Sequence, residues 1–170
     1  MSVKVKFARL RENAKIPVRR SCDAGYDIYA CFDEQEMRLE PNETKLVPTG
    51  IASAFDEGWC FVLKERGSTG IRGFGQRAGV MDSGFRGEWH VALTNHNDVP
   101  LIISKDGAER EDAVVYPYEK AICQALLLPV PNVEISEISP QELASIPSER
   151  GDGMLGSSGK RGLKLFYERS

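Results

Sequence analysis

WCFVLKERGSTGIRGFGQRAGVMDSGFRGEWHVALTN, residues 59–95, is the stretch on which the fold turns. It opens on a β-rich run, Trp59–Lys64, crosses seven glycines between Lys64 and Trp89, and closes on a second alternating run, Gly87–Asn95. Short runs of β-branched and aromatic residues bounded by glycine turns are strands, and no 3.6-residue apolar period competes with that reading. Working outward, residues Val3–Leu10, Ala24–Tyr29, Lys45–Ala54 and Ala121–Pro129 have the same character. The turn signals EPNE (40–43), DEG (56–58), DSG (82–84) and NHND (95–98) recur at the spacing of sandwiches and barrels. The expectation is an all-β fold. One short helix is expected at SPQELASIP: Ser139 can cap it, Pro140 suits its first turn, Glu142 completes a capping box and Pro147 stops it. Residues 104–118, SKDGAEREDAVVYPY, read as a surface segment inserted between strands. The glycines and serines of 149–160 read as the start of a mobile C-terminal arm. The expected organisation is therefore a β-domain over 1–148 and an arm over 149–170.

Composition bounds the function classes. A chain of 170 residues with 41% hydrophobic content fits one globular unit. A formal charge of -3 supplies no basic field for nucleic acid. The longest apolar run, Ala121–Val130, is interrupted by Gln124 and is too short to span a bilayer, and the charged N-terminus lacks the unbroken apolar stretch of a signal peptide. A cytoplasmic protein without membrane or nucleic-acid partners is expected. Cys22, Cys31, Cys60 and Cys123 are scattered and only two histidines accompany them, which argues against zinc and disulfide frameworks.

Two glycine-rich clusters carry chemistry. Between Arg150 and Lys160 lie four glycines and two serines, a composition able to form an anion nest and equally able to be a plain flexible tail. Lys160 is followed by Arg161, so the order of a P-loop is not met. In 64–89, Ser68 and Thr69 place hydroxyls beside Arg66, and a tight turn of helix over Thr69–Gly73 would face its amides toward a phosphate. Gly79, Val80, Met81 and Asp82 then form a strand entering a turn with a carboxylate at the corner. Beside phosphate-binding cations, such a carboxylate is a candidate general base or metal ligand.

Read in order, DAGYDIYA (23–30), KERGSTGIRG (64–73), AGVMDSGFRGEWHVALTN (78–95), AICQALLLP (121–129) and ERGDGMLGSSGK (149–160) resemble the five motifs of the trimeric dUTP pyrophosphatases (dUTPases), of the phage and prophage type found in Firmicutes. The resemblance implies a jelly-roll-like β-barrel, a homotrimer with active sites between subunits, and Mg²⁺-assisted hydrolysis of dUTP to dUMP and pyrophosphate. It implies that Asp82 activates the attacking water and that Asp27 holds Mg²⁺ through water. It assigns phosphate binding to Arg66, Gly67, Ser68, Thr69 and Gln124, and to Arg150, Gly156, Ser157 and Ser158 of the arm. Uracil falls to the backbone of Gly79, Val80 and Met81 with Gln76 nearby, and deoxyribose to Phe85.

The chain departs from the family pattern in three places. Phe85 stands where the family usually has tyrosine. The usual Arg-Ser-Gly reads Arg66-Gly67-Ser68, which displaces the serine. Leu155 replaces the phenylalanine that caps the base, with Met154 in place of a glycine, leaving Trp89, His90, Phe166 or Tyr167 to supply an aromatic face. The alternative enzyme is dCTP deaminase, which shares the fold and the phenylalanine. Its proton-shuttling glutamate would stand at Ala92, and alanine cannot move a proton. A non-enzymatic role is the other alternative: 104–118 is longer than the family's usual connection, and its acidic surface would bind a protein partner.

Overall fold

The computed structural model describes residues 3–149 and 151–152. Its contacts divide the chain into Met1–Asn132, which carries the twelve described strands, and Val133–Ser170, whose described part carries one short helix. In the first unit the strands are β1 (Val5–Arg9), β2 (Tyr26–Ile28), β3 (Glu36–Leu39), β4 (Thr44–Pro48), β5 (Ile51–Phe55), β6 (Trp59–Lys64), β7 (Phe74–Arg77), β8 (Val80–Asp82), β9 (His90–Asn95), β10 (Leu101–Ser104), β11 (Val114–Pro117) and β12 (Cys123–Pro129). They form four small sheets, ordered β1-β5, β11-β10-β3, β2-β12-β6-β8 and β4-β9-β7, and make a jelly-roll-like all-β fold. A one-turn helix, α1 (Gly67–Gly70), interrupts them; α2 (Pro140–Ser145) lies in the second unit, with Ser139 Oγ accepting from the Glu142 amide at 3.1 Å.

Every pairing but one is antiparallel; β10 runs parallel to β11. The expected single strand over 45–54 is two strands, because Gly50 takes a φ of 67° and turns the chain between Pro48 and Ile51. Strands β3, β7, β10 and β11 had no distinct sequence signal. β10 is buried at all four positions and so cannot alternate, and β7 contains a glycine. Within 104–118, only 105–113 runs outward as a loop. Val114–Pro117 join the sheet because Tyr116 is buried, with its hydroxyl donating to the Ala121 carbonyl at 2.7 Å and its ring edge-on to Phe74.

The core is centred on Phe61, whose ring meets Phe7, Tyr26, Phe55 and Trp89 at centroid separations of 5.2–6.0 Å. Burying each large apolar side chain contributes roughly 1.5–3 kcal/mol, and each tilted ring pair roughly 0.5–1.5 kcal/mol more. Trp89 has no exposed surface and donates to Ser53 Oγ at 3.1 Å. It is a core residue, the role a large apolar ring takes more readily than that of an aromatic cover over the base. No helix of the described residues is long and apolar enough to cross a membrane.

Candidate active site

Sheet β2-β12-β6-β8 positions the functional side chains. Asp27 is paired with Gln124, and Gln124 with Lys64, so the three project from one face; Cys60 is paired with Asp82, which puts Asp82 on the same face farther along. The intervening residues Ala125, Leu63, Phe61 and Met81 point inward and are buried. Alternation with a period of two thus turns the polar set outward and anchors it on the core.

Asp27, Arg66, Gly67, Ser68 and Gln124 line one cavity of about 810 Å³. Asp27 Oδ1 accepts from Arg66 Nε at 3.0 Å, and Arg66 Nη1 reaches Ser68 Oγ at 3.5 Å. Gln124 Nε2 donates to the Glu65 carbonyl at 2.9 Å. Gly25 makes that placement possible: a Cβ there would stand 2.2 Å from Gln124 Oε1. The helical turn expected over 69–73 begins earlier, at Gly67, and the first amide it ties back is that of Thr69, donating to the Arg66 carbonyl at 3.0 Å. Gly67 and Ser68, whose amides precede that bond, are among the residues lining the cavity.

Thr69 is fully buried, and its hydroxyl accepts from the Arg66 amide at 3.0 Å and donates to the Arg66 carbonyl at 3.1 Å. Its hydroxyl is consumed inside the turn, so its expected phosphate contact is corrected to a bracing role. Glu65 was not singled out from the sequence, yet its carbonyl holds Gln124 and its carboxylate accepts the Gln76 amide at 2.9 Å. Burial pushes the Glu65 carboxyl up, but the backbone amides of Glu65 and Gln76 and the Lys64 ammonium outweigh it and hold it below the usual carboxylate range.

A second cavity, of about 260 Å³, is lined by Val80, Met81, Asp82, Phe85, Glu88 and His90. It shares no lining residue with the first. The Leu63 amide donates to the Gly79 carbonyl at 2.8 Å, and the register pairs Met81 with Phe61 and Val80 with Val62. Antiparallel alternation then turns the Gly79 and Met81 backbone toward β6 and leaves the N–H and C=O of Val80 on the free edge of the sheet. Of the three expected base-reading residues, Val80 alone leaves its backbone groups on the free edge, while Gly79 and Met81 are paired with β6. Gly79 has a φ of 129°, and a Cβ on it would stand 2.9 Å from Leu63 Cβ. Gln76 lies beside it, its Nε2 3.5 Å from that same Cβ position and its Oε1 buried without a hydrogen-bond partner among the described residues. Phe85 is 43% exposed, and a Cβ on Gly87 would come within 2.6 Å of its ring, so Gly87 makes the space the ring occupies. Arg150, Leu155, Gly156, Ser157, Ser158, Phe166 and Tyr167 lie outside the described residues.

An outward carboxylate at a strand corner, a nucleobase-sized edge and a separate arginine, amide and hydroxyl cluster define a nucleotide-processing jelly roll. The dUTPase family model matches residues 12–159, and the chain belongs to that family. Its relatives include the deoxyuridine 5'-triphosphate nucleotidohydrolases of Gloeobacter violaceus, 33% identical over 92% of this chain and 97% of that protein, and of Mycobacterium leprae, 32% identical over 94% and 97%. Among solved structures, a tyrosine-to-phenylalanine mutant of the Staphylococcus bacteriophage 80alpha dUTPase with dUpNHpp superposes with a TM-score of 0.72 at 23% identity, over 92% of this chain and 98% of that one. The dUTPase of EIAV superposes at 0.62 with 16% identity, over 81% and 98%. These two likenesses bear on the fold.

Proposed function

We propose that the chain hydrolyses dUTP to dUMP and pyrophosphate, with Asp82 activating the water that attacks the α-phosphorus. The supporting observation is the shared outward face of one sheet, which carries Asp82 at one end and Asp27 with Gln124 at the other, where Arg66 at the start of α1 pairs with Asp27. Asp82 accepts a proton from the water as its oxygen bonds to phosphorus, and pyrophosphate leaves on the opposite side. Arg66, Ser68 and Gln124 donate to the phosphate oxygens, where charge is greatest in the transition state.

On the nucleoside side, the Val80 N–H donates to a uracil carbonyl and its C=O accepts from N3–H. Cytosine presents N3 as an acceptor and leaves that carbonyl unpaired, at a cost of roughly 1–3 kcal/mol. The Gln76 side chain stands beside the base with its Nε2 toward the Arg77 and Ala78 carbonyls at 3.4 and 3.5 Å. The Phe85 ring excludes a 2′-hydroxyl by its face.

Mg²⁺ fits the donor set. The described residues hold no group of three His, Cys, Asp or Glu side chains that would cage an ion, whereas the single half-exposed Asp27 carboxylate suits one that keeps its water and phosphate oxygens. When bound, the ion neutralises charge on the phosphate oxygens.

Because Asp82 and the phosphate cluster line separate cavities, a second copy of the chain is needed to bring them to one substrate, and a homotrimer satisfies this. Arg150, Gly156, Ser157 and Ser158, which lie outside the described residues, are assigned to the phosphates on the motif at 149–160 alone. The acidic loop within 104–118 remains available to a protein partner, and the chain works in the cytoplasm.

Pyrophosphate release from dUTP, dCTP, dTTP and UTP with Mg²⁺ tests the reading. Turnover of dUTP well above the others is expected, with kcat reduced about 10²–10⁴-fold in Asp82→Asn. Equal turnover of all four, or an active Asp82→Asn enzyme, refutes it.

A further inference from the structure

The phosphate cavity contains three arginines, Arg19, Arg20 and Arg66, against two carboxylates, Asp23 and Asp27. Two of the three cations are already engaged. Arg66 is paired with Asp27. Arg19 folds back on its own loop, donating to the carbonyls of Arg20, Ser21 and Asp23 at 3.2, 3.1 and 2.8 Å, with its guanidinium carbon 5.3 Å from the centre of the Tyr26 ring. The Asp23 amide donates to the Arg20 carbonyl at 3.1 Å, so that one carbonyl accepts from both Arg19 and Asp23. Its side chain, by contrast, is exposed at the cavity and makes no ion pair or hydrogen bond with any described residue.

We propose that Arg20 is a further substrate-binding residue, a cation that Arg19 holds at the cavity mouth to contact the terminal phosphates of the triphosphate. The inference rests on the dUTP-hydrolase reading for the identity of the ligand and on the cavity for its position. A guanidinium with no partner among the described residues loses no ion pair to them when it meets a phosphate, whereas Arg66 must share itself with Asp27. The bidentate fork of arginine suits phosphate oxygens, and a loop fixed through three carbonyls limits the ordering needed on binding. Arg19 acts as a positioning residue through the backbone of the loop, and Arg20 is the group that touches the ligand.

Calorimetric binding of inorganic tripolyphosphate to the full-length protein tests this without reliance on turnover. Arg20→Ala should weaken tripolyphosphate about tenfold at low salt, a difference that shrinks as salt rises. Arg20→Lys should recover part of the loss, because it restores charge without the fork. The KM for dUTP should rise in parallel in Arg20→Ala, while affinity for dUMP, which lacks the terminal phosphates, changes less than twofold. Unchanged tripolyphosphate binding in Arg20→Ala, or equal loss for dUMP and dUTP, overturns the role of Arg20. The parent protein's turnover of dUTP in the same preparation reports separately on the dUTP-hydrolase reading. Circular dichroism melting confirms that the variants are folded.

Discussion

Gly25→Ala adds one methyl group at the point where the phosphate cavity is most tightly built. The new Cβ would lie 2.2 Å from Gln124 Oε1, 2.9 Å from its Cδ and 3.0 Å from its Cβ, all inside ordinary van der Waals contact. Gly25 does not use the left-handed region, so alanine brings no backbone strain and the clash acts on Gln124 alone. The amide is the movable end of that side chain. It will swing away, losing the 2.9 Å bond from Nε2 to the Glu65 carbonyl, which costs roughly 0.5–1.5 kcal/mol of stability. For a chain of this size, that lowers the melting temperature by about 1–6 °C. The catalytic loss should be larger: a hydrogen bond to a charged phosphate is worth about 1.5–3 kcal/mol, or about 10–100-fold in kcat/KM. Because the methyl acts through Gln124, Gly25→Ala and Gln124→Ala should be non-additive, with the double variant close to Gln124→Ala alone. Pyrophosphate release at several dUTP concentrations across the four proteins measures this cycle. A Gly25→Ala enzyme with parental kcat/KM, or losses that multiply in the double variant, would refute the assignment of Gln124 and the role given to Gly25.

Thr69→Val removes the buried hydroxyl that satisfies the Arg66 amide, leaving it unpaired at a cost of about 1–3 kcal/mol, to be read as a lower denaturant midpoint together with a raised KM. Gly87→Ala forces the Phe85 ring aside and should narrow the preference for dUTP over UTP, measured as a ratio of kcat/KM values; an unchanged ratio would separate Phe85 from sugar selection. Glu65 titrates below its usual value in the folded protein, so its contribution is fully present above the unfolded carboxyl's pKa of about 4.3 and is lost as pH falls through the lower folded value. Glu65→Gln should therefore lower stability near neutral pH and flatten its decline in acid, and identical acid-unfolding curves for the two proteins would exclude this.

Period-two patterning and turn residues sufficed for the all-β class, for β1, β2, β6, β8, β9 and β12, and for the capped helix at Pro140–Ser145, because these signals are local. The resemblance pointed to Asp27, Arg66, Asp82, Phe85 and Gln124 because each lies in a motif whose order survives in the linear chain. Other roles depended on partners distant in sequence. Thr69 and Ser68 offer the same hydroxyl, and only burial shows that one braces the turn while the other borders the cavity. Gly79, Val80 and Met81 are equivalent as written; pairing with β6 decides which of them keeps a free backbone edge. Trp89 reads as a possible ring for the base until Phe7, Phe61 and Ser53 enclose it. Sequence alone fixed which groups the protein owns and the strand period that sorts them into two faces. Tertiary structure decided which of those groups are already engaged, since a hydrogen bond between residues 124 and 65, or a methyl-sized gap between 25 and 124, exists only once the sheet has brought them together.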